Sequence, residues 1–189
     1  MTITNKENLK QIFDKVNKVY YFEDANKTLS EQTKALELPV LENGVGFSTG
    51  DPEKSEIKLT DGTVWDTNVK QGDSDISLQV SSVHETINNL LMEKKTQSAM
   101  TGTFNGINYS GNGYSLAPKK VTGALLMLSE DGLTAIYLPN VELYASFNGE
   151  GGDDSTGYYN VGVTPLTDSN GAAFYPMVGT PSGSSSSSE

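Results

Sequence analysis

The segment that decides the fold is residues 72–91, GDSDISLQVSSVHETINNLL. In its first half Ile76, Leu78 and Val80 alternate with polar residues. Such alternation predicts a β-strand with one buried and one solvated face, because successive side chains of a strand point to opposite faces. In the second half the apolar residues are three or four positions apart, which is typical of a helix. We therefore predict a half-buried strand that leads directly into a helix.

The predicted helix covers about residues 83–94. Ser82 and Glu85 have the spacing of a capping box, in which each side chain satisfies a backbone N–H group at the helix start. The apolar residues at helical spacing are Val83, Ile87, Leu90 and Leu91. We expect these four side chains to form the core contacts that dock the helix on a sheet.

Short β-like segments, separated by Gly, Asn and Asp, lie on both sides of this strand-helix unit. Residues 121–128 and 133–138 are nearly continuous in apolar residues, which predicts central strands covered on both faces. The runs 141–147 and 159–163 alternate cleanly, and a turn at residues 60–63 predicts a further hairpin. The fold class expected from this pattern is mainly β with flanking α, an antiparallel β-sandwich or barrel with one flanking helix.

The N-terminal region carries a second helical pattern. Thr4 and Glu7 repeat the capping-box spacing. The apolar residues that follow at helical spacing are Leu9, Ile12, Phe13, Val16, Val19 and Tyr20. We predict an N-terminal helix that begins near Asn5, followed by an extended arm or loop over the polar residues 22–35.

The changes of pattern divide the chain into three predicted parts. Residues 1–37 form the N-terminal helix and arm, and residues 38–178 form the β-sandwich domain. Residues 179–189 form a flexible Gly/Ser-rich tail, because GTPSGSSSSSE offers nothing to bury.

The composition excludes several functional classes. The chain of 189 residues has 24 acidic residues against 13 lysines, no Arg, and a net charge of −11. This charge repels nucleic acid, and the lack of Arg disfavours specific recognition of phosphate or guanine. Without Cys there is no disulfide, thiolate metal site or cysteine nucleophile. No run approaches the ~18 apolar residues of a membrane helix, and no basic stretch precedes an apolar one at the N-terminus, so we expect neither membrane contact nor standard export.

No catalytic or metal-binding pattern is complete. His84 begins the sequence HETIN, in which Asn88 replaces the second histidine of the zinc motif HExxH. A serine hydrolase would need this same imidazole and a G-x-S-x-G elbow, which the sequence lacks. The calcium-loop and phosphate-loop patterns are also absent, and a two-carboxylate glycosidase would need more aromatic stacking surface than the 8% of aromatic residues provides. We predict a protein that is not an enzyme, with no catalytic residues, no metal and no cofactor.

The order of elements resembles that of the tail-tube (major tail) proteins of long-tailed bacteriophages, a superfamily that includes the tube protein of type VI secretion. Three stretches carry the resemblance: GVGFSTGDPEK followed by IKLTDGTVWDTNV (44–69), the strand-helix unit at 72–91, and LTAIYLPNVELYASF followed by YYNVGVTPLTDSNGAAFYP (133–176). Together they cover about two-thirds of the chain. The N-terminal helix and the Ser-rich C-terminus depart from the family pattern.

The resemblance implies a structural virion protein, a tail-tube subunit that forms hexameric rings. The rings stack head to tail into a negatively lined channel through which genomic DNA is ejected without specific binding. The expected location is the virion tail, assembled in the bacterial host cytoplasm, and the further expected partners are sheath, tape-measure and tail-completion proteins. Candidate residues of negative loops or of the lumen are Glu130, Asp131, Asp153 and Asp154. Candidates for an inter-subunit loop are Phe104, Asn105, Ile107, Tyr109 and Tyr114.

Two other classes of function remain open from the sequence. One is a surface or secreted β-sandwich binding module, adhesive or carbohydrate-binding, that uses the Tyr and Asn residues of 101–114 as its contact surface. The other is an acidic mimic of nucleic acid, which shares the charge but does not need so large a sandwich.

Overall fold

The computed structural model describes residues 12–149 and 156–180. These residues form a mainly β fold with antiparallel sheets and one α-helix, which confirms the mainly-β class. The strands are β1 (Val16–Phe22), β2 (Leu36–Leu38), β3 (Val40–Ser48), β4 (Glu53–Lys58), β5 (Val64–Lys70), β6 (Asp75–Val80), β7 (Lys94–Phe104), β8 (Ile107–Tyr114), β9 (Lys120–Ser129), β10 (Thr134–Asn148), β11 (Tyr158–Pro165) and β12 (Tyr175–Val178). The helix is α1 (Glu85–Leu91), and Leu29–Glu31 forms a single 3₁₀ turn.

The chain divides into two compact units. Among the described residues, the first unit consists of 12–40, 121–142 and 165–180, and the second of 41–120, 143–149 and 156–164. Strand β10 contributes its first part to the first unit and its last part to the second. The sequence-based division at residues 37 and 178 stays a prediction, and the tail residues 181–189 lie outside the described residues.

The first unit contains the strand order β2-β1-β9-β10, and β12 also pairs with β10. Strand β9 is buried continuously from Ala124 to Met127, as its apolar run predicts. One face of the sheet carries a core cluster of Phe22, Ala124, Leu126 and Tyr137. Partly buried side chains pack against this cluster: Tyr20, Leu29, Leu128, Ala135, Tyr175 and Met177.

The predicted N-terminal helix is wrong over all of its described residues, because 12–15 are not helical and Val16–Phe22 is strand β1. Strand β1 lies between β2 and β9, with Tyr20 opposite both Glu37 and Leu126. Both faces of β1 are covered at its C-terminal end, since Tyr21 and Phe22 are both buried. The β-branched and aromatic residues of this run favour a strand, and pairing on both sides outweighs the helical spacing. Thr4 and Glu7, the predicted capping box, lie outside the described residues.

Residues 23–35 form a loop that is held against β10. The backbone N–H of Asn26 donates to Pro139 O at 2.8 Å, and Tyr137 OH donates to Lys27 O at 2.7 Å. Gln32 Nε2 donates to Tyr137 OH at 2.9 Å. The loop therefore covers part of the cluster on the sheet rather than extending as a free arm.

The second unit contains the last part of β10, followed by β11, β6 and β3 in the sheet. Strand β6 buries Ile76, Leu78 and Val80, which confirms the alternation from which the strand was predicted. Strand β11 pairs with it in antiparallel register, with Val161 opposite Leu78. Helix α1 follows β6 in the chain, so the predicted order of strand and helix is also confirmed.

Two hairpins of the second unit form separate two-stranded sheets. Arm 1 is β4–β5 (53–70) and arm 2 is β7–β8 (94–114). Both strands of arm 1 are exposed along their whole length. Arm 2 turns at Asn105 and Gly106, whose φ angles of 49° and 76° are those of the Asn-Gly turns that favour tight hairpins. The hairpin expected from the TDGT turn is present as arm 1, and residues 101–113 lie in a second hairpin, arm 2.

Candidate functional site

Arm 2 has one apolar and one polar face, and both face solvent. In its register Phe104 lies opposite Ile107, Gly102 opposite Tyr109 and Met100 opposite Gly111. Since alternate residues of a strand share a face, these six residues lie on the same side of the ribbon. The large ones are Met100, Phe104, Ile107 and Tyr109, and they are 79%, 69%, 56% and 54% exposed. We call these four residues the arm 2 face.

The opposite side of arm 2 is polar. It carries Thr101, Thr103, Asn108 and Ser110, and Thr103 Oγ1 donates to Asn108 Oδ1 at 2.6 Å. No charged residue occurs between Thr96 and Tyr114, in a chain whose net charge is −11. Residues 96–114 can therefore approach an acidic surface without being repelled, because they carry no negative charge.

The base of arm 2 is held by helix α1. The Glu85 carboxylate accepts hydrogen bonds from Lys94 Nζ at 2.9 Å and from Asn112 Nδ2 at 3.0 Å. The bond from Lys94 is the largest cause of a lowered pKa of Glu85. Tyr114 OH donates to Asn89 Oδ1 at 2.9 Å. These hydrogen bonds fix the point from which arm 2 projects. Each of them is exposed to solvent and by itself contributes little to stability.

Two side chains form hydrogen bonds with backbone groups at the ends of α1, and neither was predicted to do so. His84 is the N-cap residue, and its Nδ1 accepts from the backbone N–H of Thr86 at 3.2 Å. The predicted capping box of Ser82 and Glu85 is wrong, because the Glu85 carboxylate binds Lys94 and Asn112 instead. At the other end Lys119 Nζ donates to the carbonyl oxygens of Asn89 and Leu90, at 2.6 and 3.0 Å. A cation at this end is also favoured by the helix dipole.

The four residues expected to dock the helix differ in how deeply they are buried. Ile87 and Leu91 are buried, and Leu90 is half-buried. Val83 is 72% exposed, so its prediction as a core contact is wrong. The helix begins at Glu85, and Val83 therefore precedes it in non-helical chain, outside the helical spacing that the prediction assumed.

The candidate inter-subunit residues fall into two groups. Phe104, Ile107 and Tyr109 belong to the arm 2 face, and Asn105 lies in the turn at its tip. Tyr114 lies at the base, where it is half-buried and bonded to α1. Met100 was not among the predicted residues, and the two faces of arm 2 were not distinguished, although the alternation of residues 100–104 and 107–111 carries that signal.

Two of the four acidic candidates lie within the described residues. Glu130 and Asp131 are in the turn between β9 and β10. Asp131 Oδ1 accepts from Ser129 Oγ and, at 2.8 Å, from the backbone N–H of Leu133. The Ser129 bond is the main cause of a lowered pKa of Asp131, so this carboxylate is part of the turn. Asp153 and Asp154 lie outside the described residues, and a lumen position for any of the four stays a prediction.

Two kinds of site are not found in the part of the chain that the structure describes. It contains no group of three or more His, Asp or Glu side chains placed to hold a metal ion. None of its helices is long and apolar enough to cross a membrane.

Comparison with known proteins adds no relative. No protein-family model, no curated protein and no solved structure matches the chain.

Proposed function

We propose that the chain is a structural subunit of a phage tail tube, whose copies assemble through their arms into hexameric rings. The rings stack into a negatively lined channel that conducts DNA in the virion tail. The observation that carries the proposal is the arm 2 face, a row of large apolar side chains on a projecting ribbon, each of which is more than half exposed.

An isolated two-stranded ribbon is marginal in water, and this one adds the unfavourable exposure of four large apolar side chains. Burying such side chains fully contributes about 1.5–3 kcal/mol each, before the entropy of association and ordering is subtracted. A neighbouring copy that covers the arm 2 face supplies that burial. The free edges of the ribbon can also pair with the strands of a neighbour.

The charge of the chain supports a conduit for DNA. A net charge of −11 without Arg disfavours phosphate contacts, so DNA can pass a lumen of such subunits without adhering to it. Glu130, Asp131, Asp153 and Asp154 stay the candidates for the lining. Sheath, tape-measure and tail-completion proteins stay the expected additional partners, and assembly takes place in the host cytoplasm.

The experiment measures assembly of the full chain by light scattering and negative-stain microscopy across a concentration series. We expect rings or tubes at high concentration. The double variant Phe104→Ser, Ile107→Thr should remain monomeric, because it removes most of the apolar area at the tip of arm 2. The matched control Ser110→Thr changes the polar face of the same strand and should assemble normally. A chain that stays monomeric at every concentration and with tail-completion partners would overturn the proposal.

The second candidate function is a surface or secreted binding module, adhesive or carbohydrate-binding. The exposed aromatic rings of Phe104 and Tyr109 favour it, since aromatic rings supply contact surface in many recognition sites. Glycan-array binding by the monomer, lost in Tyr109→Ala, would favour this function over the tail tube.

A further inference from the structure

A cavity of about 320 Å³ opens within the first unit. Its floor consists of Tyr137 of β10 and Tyr175 and Met177 of β12. The loop that contains Leu29 forms one wall, and Pro139 forms part of another. The volume is at the lower end of the range for small-ligand sites, and the apolar lining with a few polar groups is typical of them.

Asp168 gives the cavity a fixed acceptor. Its Oδ1 accepts from the backbone N–H groups of Asn170 and Ala172, at 2.8 and 2.9 Å. Its Oδ2 accepts from Tyr175 OH at 2.6 Å. The Tyr175 bond is the largest cause of a lowered pKa of Asp168, so the group is ionised at neutral pH. A carboxylate has about four acceptor positions, and Oδ2 therefore keeps capacity for a further donor.

Two amides lie at the rim of the cavity. Asn170 is next to the Asp168 carboxylate in the same turn. Asn26 has a left-handed backbone with φ 62°, and its N–H is bonded to Pro139 O at 2.8 Å, which fixes its position beside the opening. Both residues are exposed, so their amide groups are accessible to a ligand that enters from solvent.

These groups select a ligand that has an apolar face and several hydroxyl donors. A hydrocarbon or a proline-rich peptide has too few donors. It would displace water from the Asp168 carboxylate and leave the second acceptor position of Oδ2, beside the Tyr175 bond, without a donor. A pyranose ring places its C–H face on a tyrosine and its hydroxyl groups against carboxylate and amide oxygens.

We propose that this cavity binds a single pyranose residue of a carbohydrate, with the ring on Tyr175 and a hydroxyl pair on Asp168 and Asn170. The site differs from the exposed aromatic residues of arm 2. It does not depend on the tail-tube proposal, because all its residues belong to the first unit and none belongs to an arm.

The test is saturation-transfer NMR of the full chain with methyl α-glucopyranoside, methyl β-galactopyranoside and N-acetylglucosamine, a readout that works for monomer and assembly alike. We expect transfer to at least one of these sugars. Asp168→Asn should weaken its affinity about tenfold or more, because a charged acceptor is replaced at the hydroxyl pair. The matched control is Asp61→Asn, which alters a similar turn, with Asp61 Oδ1 accepting from Thr63 N at 2.9 Å, on arm 1.

A second variant tests the proposal in case Asp168→Asn does not fold. Asn26→Gly keeps the left-handed backbone available and removes only the amide, so it should fold and bind more weakly. Absence of transfer to all three sugars would overturn the proposal, as would equal binding by Asp168→Asn and Asp61→Asn. Loss of transfer in Tyr109→Ala with unchanged binding by Asp168→Asn would also overturn it, since it would place the sugar on arm 2.

Discussion

Residue 123 in β9 has room for a hydrogen atom and for nothing larger. A Cβ atom at Gly123 would overlap the carbonyl oxygen of Phe22 and would lie 2.5 Å from Cε2 of Tyr21. Neither neighbour moves freely, because both belong to β1 and are buried. Gly123→Ala should therefore lower the free energy of unfolding by about 1–3 kcal/mol, measured by urea denaturation. Gly111→Ala on arm 2 is the control, since no described atom lies within 4 Å of its Cβ position, and equal stability losses would contradict the argument.

Tyr21 should be the last tyrosine to ionise in a titration of the native protein. Burial raises its pKa to about 12, and its OH donates to Thr122 O at 2.8 Å. Because the folded pKa exceeds the unfolded value of about 10, the contribution to stability is complete below pH 10 and is lost as pH rises toward 12. Tyrosinate absorbance should show a late component that is missing in Tyr21→Phe. A late component that persists in this variant would show that another tyrosine carries it.

At the scale of elements, the stability of α1 depends on the side chains that the helix buries. It does not depend on Val83, which precedes the N-cap residue. Ile87→Ala should lower the free energy of unfolding by about 2–5 kcal/mol, because it leaves a cavity beneath the helix. Val83→Ala should change it by no more than about 0.5 kcal/mol, because Val83 is exposed. Urea denaturation of both variants measures the difference, and a similar loss in the two would restore the original prediction for Val83.

The strands that the sequence predicts correctly are those in which one signal acts alone. In β6, Ile76 and Leu78 alternate with polar neighbours, and no helical spacing competes. In β1, Val16, Val19 and Tyr20 fit a helix as well as a strand, and only pairing with β9 decides between them. Such pairing joins residues more than a hundred positions apart, so no local pattern contains it.

The candidate sites show the same limit at the scale of elements. The Asn-Gly turn and the residues of arm 2 are visible in the sequence, but alternation alone does not tell whether an apolar face is buried or exposed. The cavity of the first unit was not predicted, because Asn26, Tyr137 and Asp168 come from three distant segments. In the sequence, Asp168 is recognisable only as part of TDSNG (167–171), a run that is typical of a turn.

At the scale of the whole molecule, two opposing forces act on association. The net charge of −11 makes copies repel one another, while the arm 2 face favours contact between them. Because residues 96–114 carry no charge, the repulsion between copies is weakest around the arm 2 face. Association should therefore depend on how far the field of the remaining carboxylates reaches.

Salt should consequently promote assembly rather than oppose it. The screening length falls from about 30 Å at 0.01 M to about 3 Å at 1 M, so repulsion between acidic copies is removed while apolar contact is not. Sedimentation velocity at fixed protein concentration should show a rising assembled fraction across that range. The Phe104→Ser, Ile107→Thr variant should stay monomeric at every salt concentration, because screening cannot replace the lost apolar area. If assembly of the unaltered chain instead weakens as salt is added, ion pairs and not the arm 2 face hold the copies together.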